Sequence, residues 1–103
     1  MFIDEDNVAD VMVNGRHGII RLHGEIDLAS RDRVRAAFLA ARGTTQLRVD
    51  LADVTFIDVL GVAVILAAAH DLEHSGGTLT LENPRPGVTR ILWLLGVDQL
   101  LAA

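Results

Sequence analysis

A small α/β domain, a mixed sheet with helices packed on it in the order β-β-α-β-α-β-α, is the fold the amino-acid order predicts. Three observations carry that expectation. Runs of alternating apolar residues, such as 78–82, are separated by a segment with apolar residues three and four apart, at 34–41. Asn14-Gly15 joins the first two alternating runs, and that pair marks a hairpin because both positions tolerate positive φ. Gly43, Gly76-Gly77, Pro84, Pro86 and Gly96 fall at the ends of segments, where chain punctuation belongs.

The elements follow in order. Residues 1–7 are expected to be a flexible amino-terminal segment, and residues 8–27 a hairpin. In its second strand Ile20, Leu22 and Gly24 face one way while Arg21 and His23 face the other. From Ser30 the period changes: Val34, Ala37, Phe38 and Ala41 share one face of a helix. Ser30 suits the start of that helix and Gly43 its stop. "QLRVDL" reads as a short third strand, and "ADVTFID" as the loop after it. A helix from about Leu60 to His74 follows, apolar on nearly every side, so it should be sandwiched between the sheet and either neighbours or a partner. "TLTLEN" is a fourth strand. Pro84 and Pro86 mark the start of a third helix, "VTRILWLLG", since proline fits a first helical turn. "VDQLLAA" adds one more turn. Strands alternating with helices imply parallel pairing.

Composition narrows the function. The chain has 103 residues, enough for a single domain over 1–103 with a proper core, and half of them are apolar. The net charge is −5, from nine Lys+Arg against fourteen Asp+Glu, and the arginines are scattered. That argues against nucleic acid, whose binding needs clustered cations. The absence of cysteine removes disulfides, thiol catalysis and thiolate metal sites. The longest near-apolar run, Val59 to Ala69, is too short to cross a bilayer, and the amino terminus lacks the basic-then-apolar order of a signal peptide. The expectation is a soluble cytoplasmic protein with no direct membrane insertion.

One stretch asks a question. "LRVDLADVTFIDVLGVAVILAAA" (47–69) is the most hydrophobic part of the chain, yet Asp58 stands near its middle with Gly61 three residues on. In α/β sheets function gathers where the carboxyl end of a strand meets a helix start, and Asp58-Val59-Leu60-Gly61 occupies such a junction. A carboxylate there accepts hydrogen bonds from the free N–H groups of the first turn and complements the helix dipole. Capping explains Asp58. It does not explain Val59 and Leu60, which at an exposed tip put apolar surface in water.

"GEID" at 24–27, "VDLADVTFIDVLGVAVIL" at 49–66 and "GGTLTLENPRPGVTRILWLLGV" at 76–97 together resemble a STAS domain of the anti-sigma factor antagonist group. The resemblance covers roughly residues 10–100, and its most specific part is Asp-x-x-Gly opening an apolar helix. It implies a non-enzymatic interaction module, free of cofactors and metal, whose partner is an anti-sigma factor of the serine-kinase type; a homodimer is compatible with it. In that family the second residue after the aspartate is typically a serine that the partner phosphorylates, and the phosphate blocks binding. Asp58 and Gly61 match the motif. Leu60 stands at the phosphoacceptor position and Val59 before it, so no hydroxyl is available there.

The substitution has physical consequences. Phosphoserine brings a charge of about −1.5 to −2 to a helix start. Leucine brings instead a side chain worth roughly 1.5–3 kcal/mol on full burial. If Leu60 is exposed it favours docking without an off-switch; if it folds into the core the loop has drifted. The resemblance places Asp27, Ser30 and Arg31 as rim contacts, Asp58 and Gly61 as organisers of the loop, and Val59, Leu60 and Val62 as an apolar centre, the usual anatomy of a docking surface. The alternative is a STAS scaffold or a subunit of a lipid-transport or other membrane ATPase complex.

Other constellations are weaker. Ser30, Ser75 and Thr55 are hydroxyls with structural readings. His70-Asp71-Leu72-Glu73-His74 has the H-x-x-E-H zinc spacing, but an exposed helix end suited to imidazolium explains it better. Gly15-Arg16-His17-Gly18 has the spacing of a nucleic-acid clamp, yet it reads as a hairpin turn. Glu25, Asp27 and Asp58 could be imagined as paired acids, and no serine stands on a nucleophile elbow. Nothing resembles a glycine-rich phosphate loop. Trp93, among Ile91, Leu92, Leu94 and Leu95, is expected in the core.

Overall fold

The hairpin forms where the Asn-Gly pair predicts it, one residue later. In the computed structural model, which describes residues 8–102, strand β1 (Ala9–Asn14) pairs antiparallel with β2 (His17–Ile26). Asn14 pairs with His17, so Gly15 and Arg16 make the turn, and of the two only Gly15 takes positive φ, at 62°. Glycine at the first position is what one class of two-residue hairpin turn requires. The flexible segment expected at 1–7 lies outside the described residues.

Two further strands, β3 (Gln46–Ile57) and β4 (Thr78–Glu82), complete a sheet in the order β1-β2-β3-β4, with β2, β3 and β4 parallel. Helix α1 (Arg31–Ala40) connects β2 to β3, α2 (Val59–His74) connects β3 to β4, and α3 (Pro86–Leu94) follows. A 3₁₀ turn at Asp98–Leu100 ends the fold. The parallel strands are added in sequence order, so crossovers of one hand bring α1 and α2 to the same face, where they touch. Under them lie Ile20, Leu22, Val49, Leu51, Leu79 and Leu81, joined by Val34, Ile65 and Leu92 from the three helices. Outside that core the strands carry charge. Arg48 Nε meets Glu82 Oε1 at 2.9 Å, and His23 Nε2 meets Asp10 Oδ2 at 2.7 Å.

The loop expected at "ADVTFID" is strand as far as Ile57. The buried residues of β3 fall at 47, 49 and 51 and then at 54 and 57, so the two-residue period breaks twice. Each break is a register slip against β2, between the pairs at Arg21 and His23 and between those at Gly24 and Glu25. An extra residue in one strand shifts every later side chain to the other face, which hides the strand from a test of alternation. Gly24 takes φ of 72° at the second slip.

The helices hold two more surprises. Pro86 opens α3, and Val88 and Leu92 are buried four residues apart. Trp93, expected in the core, is 67% exposed. One residue beyond Leu92 is about 100° further round a helix, which turns the indole away from the core. The second concerns α2. Val62, Val64, Ile65, Ala69 and Leu72 face inward, but Ala63 and Ala67 are exposed, so this all-apolar helix is covered on one side only. Among the described residues no helix is long and apolar enough to cross a membrane.

Candidate functional site

Strands β2 and β3 end together. Ile26 pairs with Ile57, whereas β4 stops pairing with β3 at Asp50, so the carboxyl ends of β2 and β3 run past β4. The two segments leaving this tip, 27–30 and 58–61, are therefore neighbours.

Asp58 sits between strand and helix in extended conformation, and its Oδ1 accepts the Gly61 amide at 2.9 Å. Its own amide donates to the Ile26 carbonyl at 3.1 Å. The same carbonyl explains Gly61. A Cβ at position 61 would lie 2.6 Å from the Ile26 oxygen and 2.8 Å from its Cγ2, so the first turn of α2 can rest on the end of β2 only if residue 61 has no side chain. The surface that approaches Gly61 is the chain's own.

The neighbouring segment is locked by Ser30. Its hydroxyl donates to the Glu25 carbonyl at 2.9 Å and accepts the Asp27 amide at 2.9 Å, while its amide donates to Asp27 Oδ1 at 3.2 Å. Ser30 holds the N-cap position of α1 as expected, but its side chain makes no cap and it is 2% exposed, so in place of the rim contact expected of it, it is a pin inside the turn. One more expected role is corrected by burial: Val62 faces the core, so it offers no apolar surface at the tip. Asp27 and Arg31 are partly exposed.

The apolar surface at the tip is real. Val59 is 64% and Leu60 39% exposed, so Leu60 is not folded into the core. Leu28, in the neighbouring turn, and Phe56, near the end of β3, are exposed too, and sequence reasoning passed over both. Leu28 could have been found by the criterion that singled out Val59 and Leu60, since it stands in a tight turn between Asp27 and Ser30, where polar residues are usual. Phe56 was hidden by the second register slip.

Chemically this tip can bind but has little with which to react. It presents two partly buried carboxylates, Asp58 used as a cap and Asp27 bonded within its own turn, and between Phe56 and His74 no side chain carries a hydroxyl. Thr55 is exposed on β3 just before it. His70 and His74 are both exposed near the far end of α2, and among the described residues no group of three His, Asp or Glu is placed to hold a metal ion.

Comparison with known proteins gives a consistent picture. The family model described as "Mlab, STAS domain" matches residues 10–102. An anti-sigma F factor antagonist of Lysinibacillus sphaericus is 33% identical over 89 residues, covering 84% of this chain and 76% of that protein. An anti-sigma-B factor antagonist of Bacillus subtilis (strain 168) is 30% identical over 94 residues, covering 89% and 85%. Among solved structures, the anti-sigma factor antagonist SpoIIAA in its unphosphorylated form superposes with a TM-score of 0.79 at 26% identity, over 91% of this chain and 85% of that one.

Proposed function

This chain belongs to the STAS-domain family, and on that premise we propose that it is an anti-sigma factor antagonist, acting in the cytoplasm by binding a kinase-type anti-sigma factor and catalysing nothing itself. The observation that carries the reading is the exposed apolar tip at Val59 and Leu60, on the strand-to-helix junction where the family motif begins. Burying such a tip against a partner removes apolar area from water, with partly polar Asp27 and Arg31 on its margin. Leu28 and Phe56 widen the apolar centre beyond the residues expected from the motif.

Leu60 also defines the mode of control. By the family resemblance, the second residue after the motif aspartate is where the phosphoacceptor serine stands, and a leucine offers no oxygen for transfer. The antagonist is accordingly not switched off by phosphate at this position. A second reading, docking on a membrane ATPase complex, draws support from the same missing hydroxyl.

Co-purification of the tagged chain from its native cell tests both. The expected companion is an anti-sigma factor of the serine-kinase class, and Leu60→Asp should lower its recovery several-fold. An acid in the first turn of a helix suits the dipole, so the variant keeps its fold. Undiminished recovery would move the docking site elsewhere, and recovery of a transport ATPase would replace the first reading by the second.

A further inference from the structure

The uncovered side of α2 borders a groove. Between α1 and α2 lies a half-open cavity of about 650 Å³, which begins at Arg31 and Leu60 and runs to Gly43 and Ser75. Its surface is largely carbon, from Phe38 and Leu39 on one side and Ala63, Ala67 and Ala68 on the other. Alanines at 63 and 67, one turn apart, keep the α2 side low, so another backbone can come close to it.

The charge along it is unusual for this chain. Arg31, Arg35 and Arg42 line the α1 side against a single acid, Asp71, in a protein whose net charge is −5. Two of the arginines are uncommitted, for neither Arg35 nor Arg42 makes an ion pair with a described residue. Arg31 Nε is buried without a hydrogen bond, its nearest carboxylate oxygen being Asp32 Oδ1 at 3.8 Å.

From this geometry we infer that the groove receives an amphipathic helix of the partner protein, with its apolar face on the alanines and a row of acids against the arginines. The inference extends the docking reading above and rests on it for the partner's identity. The spacing of the charges selects the occupant. Arg31 and Arg35 stand about 6 Å apart at the rise of a helix and Arg42 lies beyond the end of α1 at the far end of the groove, so the cations are strung along it, which suits acids repeated along a second helix. A single-chain lipid has one headgroup and would need its cations gathered at one end. A second copy of this chain fits poorly too, because a two-fold pairing presents the same surplus of arginine on both sides. Apolar anchors in a groove with charges along its rim are a recurrent mode of helix recognition.

The test places a photocrosslinking benzoylphenylalanine at Ala67 in the groove and, in a second variant, at Val59 on the tip, each made in the native cell. The expected result is adducts at both sites with one partner protein. Those at Ala67 should map to a segment with apolar residues three and four apart, flanked by Asp or Glu. Adding Arg35→Glu and Arg42→Glu should reduce the Ala67 adduct by about tenfold, since close charge pairs across an interface are strongly coupled. Adducts at Val59 with none at Ala67 would overturn the groove and leave the tip standing. Adducts with an acidic helix at Ala67 alone would uphold the groove and remove the tip. A lipid, a second copy of the chain or a segment without acids at Ala67 would overturn the inference, and silence at both sites would overturn both readings.

Discussion

Gly61 shows how much of the site is decided by one missing carbon. It lets the first turn of α2 rest on the end of β2, and the Ile26 carbonyl occupies the space a Cβ would need. In an ordinary exposed helix, glycine to alanine gains up to about 1 kcal/mol. Here the gain is opposed by overpacking against backbone, which costs about 1–3 kcal/mol. Gly61→Ala is therefore expected to be destabilising in urea denaturation, and a stabilised variant would show that α2 does not rest on Ile26 as described. Asp58 and Gly61 were legible because a cap and its glycine are local features, written within four residues. Ser30 was legible only as the residue that starts α1. Whether its hydroxyl points to a helix end or into the turn depends on Glu25 and Asp27, which the spacing of residues does not order.

Elements were readable where their signals repeat and obscure where a single residue breaks the repeat. Both helix starts marked by Pro86 and Asp58 were found, as were the hairpin and the stop near Gly43. The second half of β3 was not, because two slips against β2 turn alternation into an irregular run. Helix α3 supplies the prediction at this scale. Its buried residues are Val88 and Leu92, and Trp93 points away from them. Trp93→Ala should change stability by no more than about 0.5 kcal/mol, as surface substitutions do. A loss of about 3–5 kcal/mol, the range for a core tryptophan, would place the indole inside and contradict the fold at this helix. Composition alone made the helix look uniformly buried, and only the position of each residue round its axis separates Leu92 from Trp93.

Across the whole molecule the two candidate surfaces lie on one side of the sheet tip and share Leu60, which belongs both to the apolar tip and to the groove. The charged outer residues of the strands are otherwise occupied. Arg48 with Glu82, Arg21 with Asp50 and His23 with Asp10 form exposed pairs, each worth roughly 0–1 kcal/mol, and they offer a polar surface rather than an adhesive one. Exposed carbon is not confined to the tip, since Met12, Trp93 and Leu94 are exposed as well. What marks the proposed binding side is that its apolar residues stand at the strand-to-helix junction, and Phe56 among them became visible only once the strands were in register.

The most direct test of that assignment is a titration of the isotopically labelled chain with its co-purified anti-sigma factor, followed by backbone amide resonances. The amides of 27–31 and 56–62 should shift or broaden first and most, while those of Arg21, Arg48 and Glu82 stay in place. Changes centred on Arg21, Arg48 and Glu82, with Val59 and Leu60 unmoved, would contradict the claim that the unphosphorylatable apolar tip is where the partner binds.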